Sequence, residues 1–179
     1  MRNIGKLLTV LFFTIGCNRN NVVKKDLTQP VNNSDTVVTV IDTASVFTNN
    51  QIEEYQKNVI NKGDVGSFSR LLIHYDNLSN YKELHKYALI MADKYNNGAG
   101  CNQVFVDIVA INNNNDFDIN ALLRLNEKDK STALKYLKKG ALLNDIESIL
   151  MLAEIYRNGI GVEKDVKKAD ELKKKIEEI

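Results

Sequence analysis

The chain has 179 residues, with 24 Lys plus Arg against 23 Asp plus Glu and a formal net charge of +1. That length allows one modest domain with a tail. The balanced charge lacks the basic stripe that nucleic-acid binding requires, so nucleic acid is excluded as a partner. There is one proline and no tryptophan, and asparagine is frequent, as in the run Asn112 to Asn115.

In chain order, residues 1–16 read first as a secretory signal. Arg2 and Lys6 give a positive start, and Leu7, Leu8, Val10, Leu11, Phe12, Phe13 and Ile15 an apolar stretch. That stretch is shorter than the roughly 20 residues a spanning helix needs. It ends in Thr14-Ile15-Gly16-Cys17, which resembles the lipobox of bacterial lipoproteins, with Thr14 where that family usually has leucine. The resemblance implies that Cys17 is acylated and becomes the mature N-terminus. The protein would then be lipid-anchored in the cell envelope, with the membrane as one partner. Each buried methylene contributes ~0.8 kcal/mol, so several acyl chains hold it almost permanently. Asn18, not Asp, follows the cysteine, which resembles an outer-membrane sorting signal and implies a place facing the periplasm or the surface. With Cys17 lipidated, Cys101 has no disulfide partner, and beside Val104 and Phe105 it reads as a small buried residue.

Residues 17–49 read as a disordered, extended tether rich in Asn, Thr, Ser and Asp, which lifts a domain off the membrane. An N-terminal helix is expected over 50–62, with Asn50 and Glu53 as a capping box, apolar positions at Ile52, Tyr55, Val59 and Ile60, and Gly63 as the stop. Phe68, Leu71, Leu72 and Tyr75 then recur at helical spacing. Asn80 with Glu83 opens a helix carrying Leu84, Tyr87, Ala88, Met91 and Tyr95, which Gly98 and Gly100 are expected to end. Further helices are expected from Phe105, from Ser131, from Asp145 and from about Asp165.

These helices repeat. Val65, Ser67, Phe68, Leu72 and Tyr75 overlay on Ile146, Ser148, Ile149, Ala153 and Tyr156, and Phe105, Ile108 and Val109 fall on Phe68, Leu71 and Leu72. One helix pair cannot bury its own apolar face, and stacked neighbours supply the missing surface. The segment from Leu152 to Ala169 carries an alanine and a tyrosine on its first helix, the turn Gly159-Ile160-Gly161-Val162, Asp165 ahead of a second helix, and Ala169 four residues on. It resembles the Sel1-like repeat, a relative of the tetratricopeptide repeat. The resemblance covers residues 63–179 and implies an all-α fold, a short right-handed α-α solenoid of such helix pairs preceded by the extra helix at 50–62. Gly159 and Gly161 permit backbone angles that a Cβ disfavours. Val162 plugs the gap between helices, Asp165 caps the second helix at a gain of ~1 kcal/mol, and Ala169 allows close approach.

Candidate chemistry is sparse. Asp116, Asp118, Asn120 and Glu127 have the spacing of a calcium loop, but Ala121 stands where the sharp turn demands glycine, and the segment reads better as a short amphipathic helix capped by Asp116 or Asp118. His74 and His85 lack a metal-ligand partner at useful spacing, and no phosphate, dinucleotide or hydrolase motif occurs. No metal and no cofactor is expected. Tyr81, Tyr95 and Tyr136 are candidate interface anchors. The expected function is that of a binding module: a membrane-anchored envelope lipoprotein acting as a scaffold or adaptor that takes a protein partner in a helical-repeat groove. Small lipoproteins of this architecture resemble immunity proteins that neutralise a toxin in the periplasm, which is the second reading. A cell-wall-acting enzyme is the third; it would need a carboxylate pair or a nucleophile, and no catalytic residue is assigned.

Overall fold

The computed structural model describes residues 47–179; the stretch read as a signal, Cys17 and the stretch read as a tether up to residue 46 lie outside the described residues. Those described form seven α-helices with no strand among them: α1 (Asn49–Lys62), α2 (Val65–Asn77), α3 (Tyr81–Leu89), α4 (Gly98–Ile111), α5 (Glu127–Leu142), α6 (Ile146–Asn158) and α7 (Val166–Ile176). A π-helical turn, Ile90–Lys94, extends α3, and a 3-10 helix, Ile119–Arg124, stands between α4 and α5. Each α-helix packs against the next along the chain, and α1 also meets α3 and α4 meets α6.

The helices start where a short polar side chain can take a free backbone N–H. Asp64, Asn97 and Asp145 open α2, α4 and α6, accepting from Ser67 N at 2.6 Å, Gly100 N at 2.8 Å and Ser148 N at 2.8 Å. Asn80, Asn126 and Asp165 open α3, α5 and α7 in the same way. The start of α1 differs from expectation. Thr48, not Asn50, is the cap, in a reciprocal box with Gln51, and the Phe47 ring meets Tyr55 edge-on at 5.4 Å. Phe47 and Thr48, inside the span assigned to the tether, therefore take part in the fold.

Gly98 and Gly100 do not end a helix; they form the first turn of α4. The reason is steric. A Cβ on Gly100 would lie 2.6 Å from the Met91 Cβ and 2.8 Å from the Ala92 N, so only glycine lets α4 begin hard against the π-helical turn. This start also corrects the overlay of the middle helix. Counted from the caps, Cys101 matches Phe68 and Val104 matches Leu71, one helical turn earlier than the apolar pattern alone placed them. Likewise α5 begins at Glu127 rather than Ser131, because Asn126 supplies the cap.

Two apolar clusters make the core. The first gathers Ile52, Val59, Phe68, Leu71, Leu84 and Met91 from α1 to the π-helical turn, together with Val104 of α4. The second gathers Phe105 and Val109 of α4 with Leu122, Leu137, Ile149 and Ile155. Ile108 packs against both.

Candidate functional site

The caps set a common register on α2, α4 and α6. The sixth residue after the cap is Arg70, Gln103 and Met151, and the ninth is Ile73, Val106 and Glu154, in α2, α4 and α6 respectively. These positions face outward together. Leu72, Ile73, Asp76, Gln103 and Val106 line a cleft of about 260 Å³ between α2 and α4. On α6, Glu147, Leu150, Met151 and Glu154 recur along one side and, with Phe117 and Ile119, line an open groove of about 560 Å³. Ile73 is 50% exposed and Leu150 42%. Both α2 and α6 thus leave a large apolar side chain in water beside a cleft or groove.

The α6 groove is acidic. Asp118, Glu147 and Glu154 stand at its rim and take part in no ion pair among the described residues. Its two cations are Lys173 and Arg157, and Arg157 is bound to Asp170. A second groove, of about 500 Å³, runs along α5 and is basic, with Lys130, Lys135, Lys138 and Lys139 beside Leu134 and Leu142. Lys130 pairs with Glu127 at 2.9 Å, and the Lys139 ammonium donates to the Ala92 carbonyl at 2.6 Å. Leu142 is 79% exposed.

The tyrosines expected at an interface are used inside the fold. Tyr81 is 8% exposed and donates to Asp76 at 2.8 Å. Burial and then that carboxylate push its hydroxyl up to about 12. Tyr136 donates to Asp93 at 2.7 Å and is pushed up to about 12 for the same two reasons. Tyr95 donates to the Ile60 carbonyl at 2.9 Å, and its ring covers Gly63, whose φ of 63° and missing Cβ both suit the contact. A phenol finds such partners when partly buried; Tyr81 thus ties α3 to α2, Tyr95 ties the π-helical turn to α1, and Tyr136 ties α5 to that turn.

In the last helix pair, Gly159 and Gly161 have φ of 72° and 66°, Val162 packs on the second cluster, Asp165 caps α7 and Ala169 is fully buried. The calcium-spaced residues have other work. Asp118 caps the 3-10 helix, accepting from Asn120 N at 2.9 Å and from its side-chain amide, while Glu127 pairs with Lys130. No group of three or more His, Cys, Asp or Glu side chains able to hold a metal occurs among the described residues. Cys101 is buried, and burial pushes its thiol up, away from the reactive thiolate.

One charged group escaped the sequence reading. Asp107 of α4 is wholly buried, accepts from the Gln103 side-chain amide at 2.7 Å and lies 3.5 Å from Nδ1 of His85 on α3. Burial pushes its carboxyl up, and the nearby His85 and the bond from Gln103 pull it partly back. The signal was an acid inside the apolar stretch from Val104 to Ile111, at a position that the register turns inward.

Comparison with protein-family models, with curated proteins and with solved structures finds no match in any of the three.

Proposed function

We propose that this chain is a tethered binding module: a short right-handed α-α solenoid of Sel1-like helix pairs, held on an envelope membrane through a lipidated Cys17, acting as a scaffold for a protein partner. The observation that carries the reading is the shared register of α2, α4 and α6, with Ile73 and Leu150 exposed and Val106 and Met151 lining the cleft and the groove beside them. Large apolar side chains left in water beside a groove rimmed by polar residues mark an interaction surface. The packing of each helix on its neighbour supports the solenoid part of the proposal.

The test is site-specific photo-cross-linking of the full chain in cells. A cross-linker at Leu150 should trap one partner that a cross-linker at Lys128, exposed on α5 outside both grooves, does not. Equal trapping at both positions, or none at Leu150, would overturn the binding face. Membrane fractionation of Cys17→Ala tests the anchor separately: loss from the membrane is expected, and full retention would refute it.

A further inference from the structure

The α6 groove specifies the chemistry of its occupant. Its floor is apolar, formed by Phe117, Ile119, Leu150 and Met151. Leu150 sits between Glu147 and Glu154, which are two helical turns apart, or about 10 Å along the axis. Asp118 adds a third carboxylate at the rim. Of the two nearby cations, Arg157 is already neutralised by Asp170, so the groove keeps an excess of negative charge around an apolar floor. Its volume of about 560 Å³ lies within the roughly 300–1,000 Å³ that pockets for specific ligands span. Methionine on the floor adapts to more than one apolar shape.

We propose that this groove takes a basic segment of a partner protein, with a large apolar side chain seated on Leu150 and Met151 and a Lys or Arg on each side meeting Glu147 and Glu154. This inference rests on the binding-module reading and names the partner's chemistry. A segment of like sign would set carboxylate against carboxylate, and such juxtaposition excludes wrong partners strongly. A second copy of this chain is the competing occupant, because Leu142 stands exposed among Lys135, Lys138 and Lys139. It is the poorer match: Lys139 is already engaged by the Ala92 carbonyl and by Asp93 at 3.5 Å.

A random peptide library panned on the full chain tests the inference, with counter-selection on the Glu147→Lys/Glu154→Lys double variant. Peptides lost on the double variant should carry a large apolar residue flanked by Lys or Arg. Their affinity should fall about tenfold or more on the double variant and on Leu150→Ser, and rise again when the flanking cations are exchanged for Glu against the double variant. Glu147, Leu150 and Glu154 are all exposed, so circular dichroism of each variant should match the parent. Groove-dependent peptides that are acidic or neutral would overturn the charge assignment and leave the binding face standing. No groove-dependent peptide at all would overturn both. Sedimentation showing mass that grows with concentration, and stops growing in Leu142→Ser, would identify a second copy as the occupant and overturn the proposal.

Discussion

The helices α2 and α6 begin alike and end differently. Both have 13 residues, an aspartate cap and a buried serine three residues after it, then Phe68 or Ile149, Leu71 or Leu152, and Tyr75 or Tyr156 in the core. After α2 the chain turns through Leu78 and Ser79, the latter at φ 50°, and Asn80 caps α3 at once. After α6 it passes two glycines at positive φ before Asp165 caps α7. The longer turn has room to fold back, and Gly161 lies where a Cβ would meet the Leu122 side chain at 3.2 Å. The fourth residue after the second cap differs accordingly: Leu84 in α3, Ala169 in α7, both fully buried. The start of a helix is therefore written locally by its cap, while its end and the fit of its partner are written by the connection.

The comparison can be broken most sharply in the core. Phe68→Ala should cost about 3–5 kcal/mol and Ile149→Ala about 2–5 kcal/mol by chemical denaturation. Amide exchange should quicken first in α1–α3 for the former and in α5–α7 for the latter. Identical exchange patterns would show that the two ends do not own separate clusters. Gly161→Val should cost about 2–3 kcal/mol, from positive φ and the crowding of Leu122 together; an unchanged melting temperature would refute the strained turn. Asp145→Ala should cost about 1 kcal/mol. Asp64→Ala should act in the same direction, and its wild-type advantage has a pH signature. Hydrogen bonds from the Ser67 side chain and then its backbone N–H hold the Asp64 carboxyl below its ordinary range. Its stabilisation is thus present above the unfolded carboxylate range and is lost as pH falls through the lower folded value. Melting curves of the two proteins should converge in acid, and a constant gap would refute the cap.

Asp107, on the helix between the two regions, gives the smallest effect and the opposite slope. Its carboxyl is raised by burial, so its favourable contribution is complete below the unfolded carboxylate range and lost as pH rises through the folded value. Asp107→Asn should therefore melt higher than the parent at neutral pH, with the difference shrinking in acid. A parent that melts higher at neutral pH would instead make the contact with His85 a net stabilising pair.

The last helix pair was the most legible part of the sequence, because caps, glycine turns and alanine contacts all act within a few residues. Less legible was anything decided across helices. Gly98 and Gly100 look like terminators until Asp145 is known to press on the first and Met91 on the second. The partners of Tyr95 and Tyr136, Ile60 and Asp93, come from distant parts of the chain. The start of α1 was missed because Asn50 and Glu53 imitate the box that Thr48 and Gln51 form. Of the candidate site, the apolar helix positions could be read, but their register could not, since a one-turn error in α4 moves Gln103 and Val106 away from their matches, Arg70 and Ile73.

The place of Ile108 against both clusters has a consequence for cooperativity. Residues of α4 belong to each cluster, Val104 to one and Phe105 and Val109 to the other. The free energy that couples the two ends runs mainly through this helix, with Tyr136 of α5 adding a contact to the first cluster. Loosening at either end can therefore stay local while α4 holds, and the last foldon to open is the one the two ends share.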